Sequence, residues 1–121
     1  MIDHVGIDVR DYATSKSFYE RAVAPLGYAL LMDVGVACGF GRDGKPEFWI
    51  SSRGEPQRGV HIAFVASDRA SVDAFHEAAL AAGATDNGSP GPRPLYHEHY
   101  YGAYVLDLDG NNVEAVCHSP Q

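Results

Sequence analysis

Polar and apolar residues alternate in two stretches that begin alike, His4-Val5-Gly6-Ile7-Asp8-Val9 and His61-Ile62-Ala63-Phe64-Val65. In the first, Val5, Ile7 and Val9 fall on one face and His4, Gly6 and Asp8 on the other. In the second, Ile62 and Phe64 oppose His61, Ala63 and Val65. A period of two marks a strand with two unlike faces. An acidic turn follows each strand, where Asp11 and then Ser67 or Asp68 can cap a helix. The period then becomes helical. Phe18 with Ala22 and Tyr19 with Val23 stripe a helix over 13–24, stopped by Pro25 and Gly27. Val72, Phe75 and Ala79 stripe a second over 70–82, ended by Gly83. The offset between copies is 57 residues and it persists, with Asp11 on Asp68, Phe18 on Phe75, Glu20 on Glu77 and Ala22 on Ala79.

Three short strands follow the first helix, at 28–33, 36–41 and 47–51, the last two joined through Asp43-Gly44, a strong hairpin signal. Residues 54–58 form a polar linker. After the second helix come a short strand at 84–87 and a stretch over 88–94 too rich in Pro and Gly for regular structure. Strands at 101–107 and 112–117 turn through Asp109-Gly110. Each half therefore reads βαβββ. The expected class is α+β, a single domain over 1–121 built from tandem modules at 1–53 and 59–118. Their mixed sheets would curl around a cavity, with the helices on the outer face.

A length of 121 residues, 45% of them hydrophobic, supports one folded core. The net charge is −7 and the nine Lys and Arg are scattered, so the clustered cations of a nucleic-acid surface are missing. No apolar run approaches the roughly 20 residues of a membrane span. The start at Met1-Ile2-Asp3-His4 lacks the layout of a secretion signal and enters a strand at once. Cys38 and Cys117 have no close spacing and read as buried free thiols, which suit a reducing cytoplasm.

Duplication puts His4 and His61 at equivalent points, where they can face one another across a shared cavity. The loop Tyr96-His97-Glu98-His99-Tyr100-Tyr101 is dense in titratable groups. It reads either as a lid supplying acid–base groups, His97 and Tyr101 foremost, or as exposed histidines beside tyrosines packed at a dimer contact. His118, four residues past Glu114, reads as a chain-end histidine in solvent or as a general base. His76 is expected on a helix surface, and Trp49 in the cavity wall or the core.

Three stretches, Asp3-His4-Val5-Gly6-Ile7, Gly59-Val60-His61-Ile62-Ala63-Phe64-Val65 and Asp107-Leu108-Asp109-Gly110-Asn111-Asn112-Val113-Glu114, resemble the vicinal-oxygen-chelate superfamily. That superfamily is the glyoxalase I, bleomycin-resistance and extradiol-dioxygenase group. The resemblance implies a divalent metal ion (Zn, Ni, Fe or Mn) held by His4, His61 and Glu114, with Glu47 as the fourth ligand. Counted from the two Asp-Gly turns, Gly44 to Glu47 is three residues and Gly110 to Glu114 is four. A one-residue difference flips the facing of a strand, so Phe48 is the alternative positional match for Glu114. The resemblance further implies a homodimer and a small-molecule substrate. Its leading functional reading is an isomerase or lyase that chelates vicinal oxygens of a hydroxy-carbonyl compound, with Glu114 or Glu47 moving the proton. The alternatives are an Fe(II) extradiol-type dioxygenase and a metal-free module that sequesters a drug or metabolite.

Overall fold

The computed structural model describes residues 1–120. The chain runs β1 (Val5–Asp8), α1 (Tyr12–Val23), a 3-10 turn (Ala24–Leu26), β2 (Ala29–Asp33), β3 (Ala37–Arg42) and β4 (Lys45–Ser51). The second half repeats the order as β5 (His61–Val65), α2 (Arg69–Ala81), β6 (Thr85–Pro92), β7 (Tyr101–Leu106) and β8 (Asn112–Cys117). The Asp11 side chain accepts the Thr14 amide at the start of α1, and Asp68 accepts the Ser71 amide at the start of α2. Asp43 and Gly44 both have positive φ, 55° and 75°, the two-residue hairpin geometry in which an Asp-Gly pair costs least.

Each module makes one four-stranded mixed sheet, ordered β1-β4-β3-β2 and β5-β8-β7-β6, and neither sheet closes. In each, the first strand lies parallel to the last, because the helix carries the chain across before the antiparallel strands return. The expected α+β architecture of paired modules is thus observed. Two expectations need correction. β6 extends through the Pro- and Gly-rich residues to Pro92, at the expense of two register shifts against β7. His76 is buried on α2 and its Nε2 lies 2.9 Å from Asp86 of β6, since this face of α2 packs on the sheet.

One apolar core joins the helices to the faces of both sheets that they cover, with Ile7, Phe40, Phe48 and Ile50 from the first and Phe64, Val105, Val113 and Ala115 from the second. The modules meet through aromatic rings. Phe64 stands edge-on to Phe48 at 5.3 Å and to Tyr28 at 5.5 Å. With Phe48 turned to the helices, alternation sends Trp49 and Ser51 to the opposite, helix-free face, while Glu47 is the unpaired residue of a bulge between β3 and β4.

Candidate functional site

On the helix-free face of the second sheet, the repeat-opening His61 meets Glu114. Its Nε2 stands 2.9 Å from Oε1 of that carboxylate. Glu114 is 1% exposed, whereas half of the His61 side chain is open to solvent. The other carboxylate oxygen, Oε2, accepts the Tyr100 hydroxyl. Burial, and then the hydrogen bond to Glu114, push Tyr100 well above the usual tyrosine range, so it stays a neutral donor. Glycine at position 102 makes this contact possible. A Cβ there would lie 3.2 Å from the Tyr100 ring and 3.3 Å from Glu114 Oε2. Tyr104, paired with Glu114 across β7 and β8, completes the face, and burial raises its pKa as well.

The first module presents a different set. His4 and Glu47 line a cavity of about 270 Å³ together with Asp3, Tyr28 and Ala63. Glu47 Oε2 accepts the Tyr28 hydroxyl at 2.6 Å. Burial, then that bond, push Tyr28 up to about 12, so it too remains a donor near neutrality. His4 Nδ1 is turned to Asp3 at 2.7 Å, and Asp3 is also paired with Lys45 at 2.9 Å. A second cavity, of about 420 Å³, lies further along β1 against Asp8, Trp49, Ser51 and Arg53.

The strand registers decide how the two halves correspond. Gly6 pairs with Trp49 and Ala63 with Glu114. Gly6 and Ala63 are themselves repeat-equivalent, so Trp49, rather than Glu47 or Phe48, stands where Glu114 stands in the other module. Glu47 is the unpaired residue of the bulge that shifts the register between Phe40 and Gly41, and its carboxylate is turned to Tyr28.

Residues 1–115 match the family model described as the Glyoxalase/Bleomycin resistance protein/Dioxygenase superfamily. The chain belongs to that superfamily. Among solved structures, a glyoxalase/bleomycin resistance protein from Albidiferax ferrireducens T118 is 30% identical, with a TM-score of 0.84 over 95% of this chain and 97% of that one. A glyoxalase/bleomycin resistance protein/dioxygenase family enzyme from Burkholderia phytofirmans PsJN shares the fold at 20% identity, a TM-score of 0.73 and 98% coverage of both chains. An E144Q glyoxalase I mutant from Zea mays is 25% identical with a TM-score of 0.72, covering 95% of this chain and 46% of that one. No curated protein matches the chain.

Members of the glyoxalase superfamily commonly use a divalent ion, and the donors present can be tested against one. Two imidazoles and a carboxylate are suitable in kind, and all three lie on helix-free faces. His61 and Glu114 already touch, but His4 is held by Asp3. Among the described residues, no three of His, Cys, Asp and Glu converge as they stand. The cavity that His4 lines includes neither His61 nor Glu114, so the three donors form no assembled ion site in this arrangement.

The two loop residues singled out as acid–base candidates part company. Tyr101 faces α2, where its hydroxyl donates to Asp73 at 2.7 Å and Arg69 lies 4.9 Å from its ring. Tyr100, passed over in the sequence, is the one that reaches Glu114. Alternation through 101–106 carried the signal, since it puts Tyr101 with Ala103 and Val105 on the core side. His97 does not touch Glu114; its Nε2 lies 2.9 Å from Nδ1 of His118.

Proposed function

We propose that this chain is a metal-dependent enzyme of the glyoxalase type, with His4, His61 and Glu114 as the protein donors. Its substrate would be a small compound bearing two neighbouring oxygens, and the reaction an isomerisation or lyase step beside a carbonyl. The observation that carries the reading is the buried Glu114 carboxylate in contact with the solvent-reachable His61. When bound, a divalent ion supplies Lewis-acid stabilisation of charge on the substrate oxygens.

The chain's own residues divide the remaining work. Tyr100 donates to Glu114 and fixes its orientation. Glu47 would serve as the base rather than as a fourth ligand. It lies exposed at the cavity beside His4, oriented by Tyr28, and can take and return a proton at the carbon next to the carbonyl. Trp49 lines the neighbouring cavity further along β1.

A second reading is an Fe(II) dioxygenase, favoured by the same register. With Trp49 in place of a second acid, the donor set is two histidines and one carboxylate, the three-sided set of non-haem iron oxygenases.

The test is elemental analysis of chain purified without added metal, repeated on Glu114→Gln, followed by turnover assays. Zn²⁺ or Ni²⁺ near one per chain, lost in the variant, supports the first reading. Iron with oxygen uptake selects the second. A chain that retains no ion, and acquires none on dialysis against these metals, overturns both and leaves a binding module.

A further inference from the structure

The loop that delivers Tyr100 is fastened by a pair of histidines that the reading above leaves without a task. His97 Nε2 and His118 Nδ1 are 2.9 Å apart. Their rings are inclined by 26°, with centroids 5.1 Å apart. Nitrogens so close on rings so far apart place the two imidazoles almost end to end. A lone pair on one is therefore aimed at the nitrogen of the other, as in a hydrogen bond. Two donors for one ion would instead converge on a third point.

The tautomers follow from the neighbours. His97 Nδ1 accepts the backbone amide of His99 at 3.1 Å, so it carries no proton. The single proton of neutral His97 then sits on Nε2 and is donated to Nδ1 of His118, whose own proton is on Nε2. An added proton has no free place in this arrangement. On His118 Nδ1 it would confront the His97 Nε2–H group. Moving the His97 proton to Nδ1 to relieve that would set it against the His99 amide. Either route breaks a hydrogen bond.

We propose that His97 and His118 are positioning residues, a neutral clamp that keeps loop 93–100 closed with Tyr100 on Glu114 and opens on acidification. The clamp grips Tyr100 directly. The Tyr100 ring stands edge-on to His97 at 5.5 Å and to His118 at 5.4 Å, and its amide donates to the His97 carbonyl at 3.2 Å. The other titratable groups around the pair leave the shared proton alone. Tyr96 is tilted against Tyr100 at 4.8 Å, Glu98 faces His99 at 3.4 Å, and the Cys117 thiol is directed to the Ser119 carbonyl. Opening frees Glu114 Oε2, so the pair would regulate the carboxylate on which the functional reading rests.

The experiment is amide hydrogen exchange and imidazole ¹⁵N NMR on the whole chain, with neither metal nor substrate added. At about pH 7.5, His97 is expected as the Nε2–H tautomer with a protected His99 amide. On acidification towards about pH 5, protection of that amide should fall relative to the core amide of Val113. The Tyr100 ring resonances should move with the same midpoint. A roughly tenfold loss corresponds to one net hydrogen bond. His118→Ala should expose the His99 amide at both pH values. His118→Asn, an acceptor that does not titrate, should restore protection at about pH 7.5.

A His97 proton on Nδ1, or a His99 amide indifferent to His118→Ala while Val113 stays protected, overturns the proposal. Because no ion takes part, the clamp and the metal reading can fail separately.

Discussion

Trp49 holds in the first module the place that Glu114 holds in the second. The indole fits there because Gly39, its partner across β3 and β4, has no side chain. A Cβ on Gly39 would come within 2.8 Å of the ring. Trp49→Glu would restore the acid that the repeat leads one to expect. If the helix-free face is a metal site, this variant should bind Zn²⁺ or Ni²⁺ at least ~10-fold more tightly, about 1.4 kcal/mol. Titration calorimetry checks it, and an unchanged affinity would remove this face from consideration as an ion site.

Gly102 is where space, rather than backbone freedom, calls for glycine. Gly102→Val is expected to displace the Tyr100 ring and part its hydroxyl from Glu114, at a cost of roughly 1–3 kcal/mol for overpacking. Urea unfolding measures the stability, and the near-ultraviolet circular dichroism of the tyrosines reports the displacement. A variant as stable as the parent, with the same tyrosine signal, would contradict the contact.

Phe64 ties the modules together. Phe64→Ala removes its edge-on contacts with Phe48 and Tyr28 and should cost about 3–5 kcal/mol. Denaturant melts followed from each half should still coincide if the core is shared. Separate transitions would show that the modules fold independently.

Asp33 provides an acid-side prediction. Hydrogen bonds first from Lys16 and then from Tyr12, at 2.6 Å each, hold its carboxyl well below the usual carboxylate range. A carboxylate whose folded pKa is depressed adds stability above its unfolded pKa of about 3.9 and loses it as pH falls towards the folded value. Asp33→Asn should therefore lower Tm at pH 7, and the gap to the parent should close in strong acid. A gap that is constant with pH would mean the charge plays no part.

Much of this architecture was legible from periodicity. The alternation opening at His4 and at His61, the caps at Asp11 and Asp68 and the Asp43-Gly44 turn are local signals, and local signals survive in one dimension. The failures were tertiary. Pro90 and Pro92 argue against a strand, yet β7 offers β6 an edge on which bulges absorb the mismatch. His76 reads as a surface residue until β6 brings Asp86 to it.

The candidate site divides along the same line. From the sequence came the two repeat-opening histidines and the C-terminal acid, because duplication and alternation say which residues share a face. Which partners those residues choose was decided by register and by a loop closing over the sheet. Trp49 matches Glu114 only once Gly6 and Ala63 are seen beside them, since a bulge changes the count along a strand without changing its pattern. Tyr100 reaches the acid and Tyr101 does not, and His118 finds His97, because these contacts join residues 14 and 21 positions apart through folded space. No spacing rule in a sequence describes that distance.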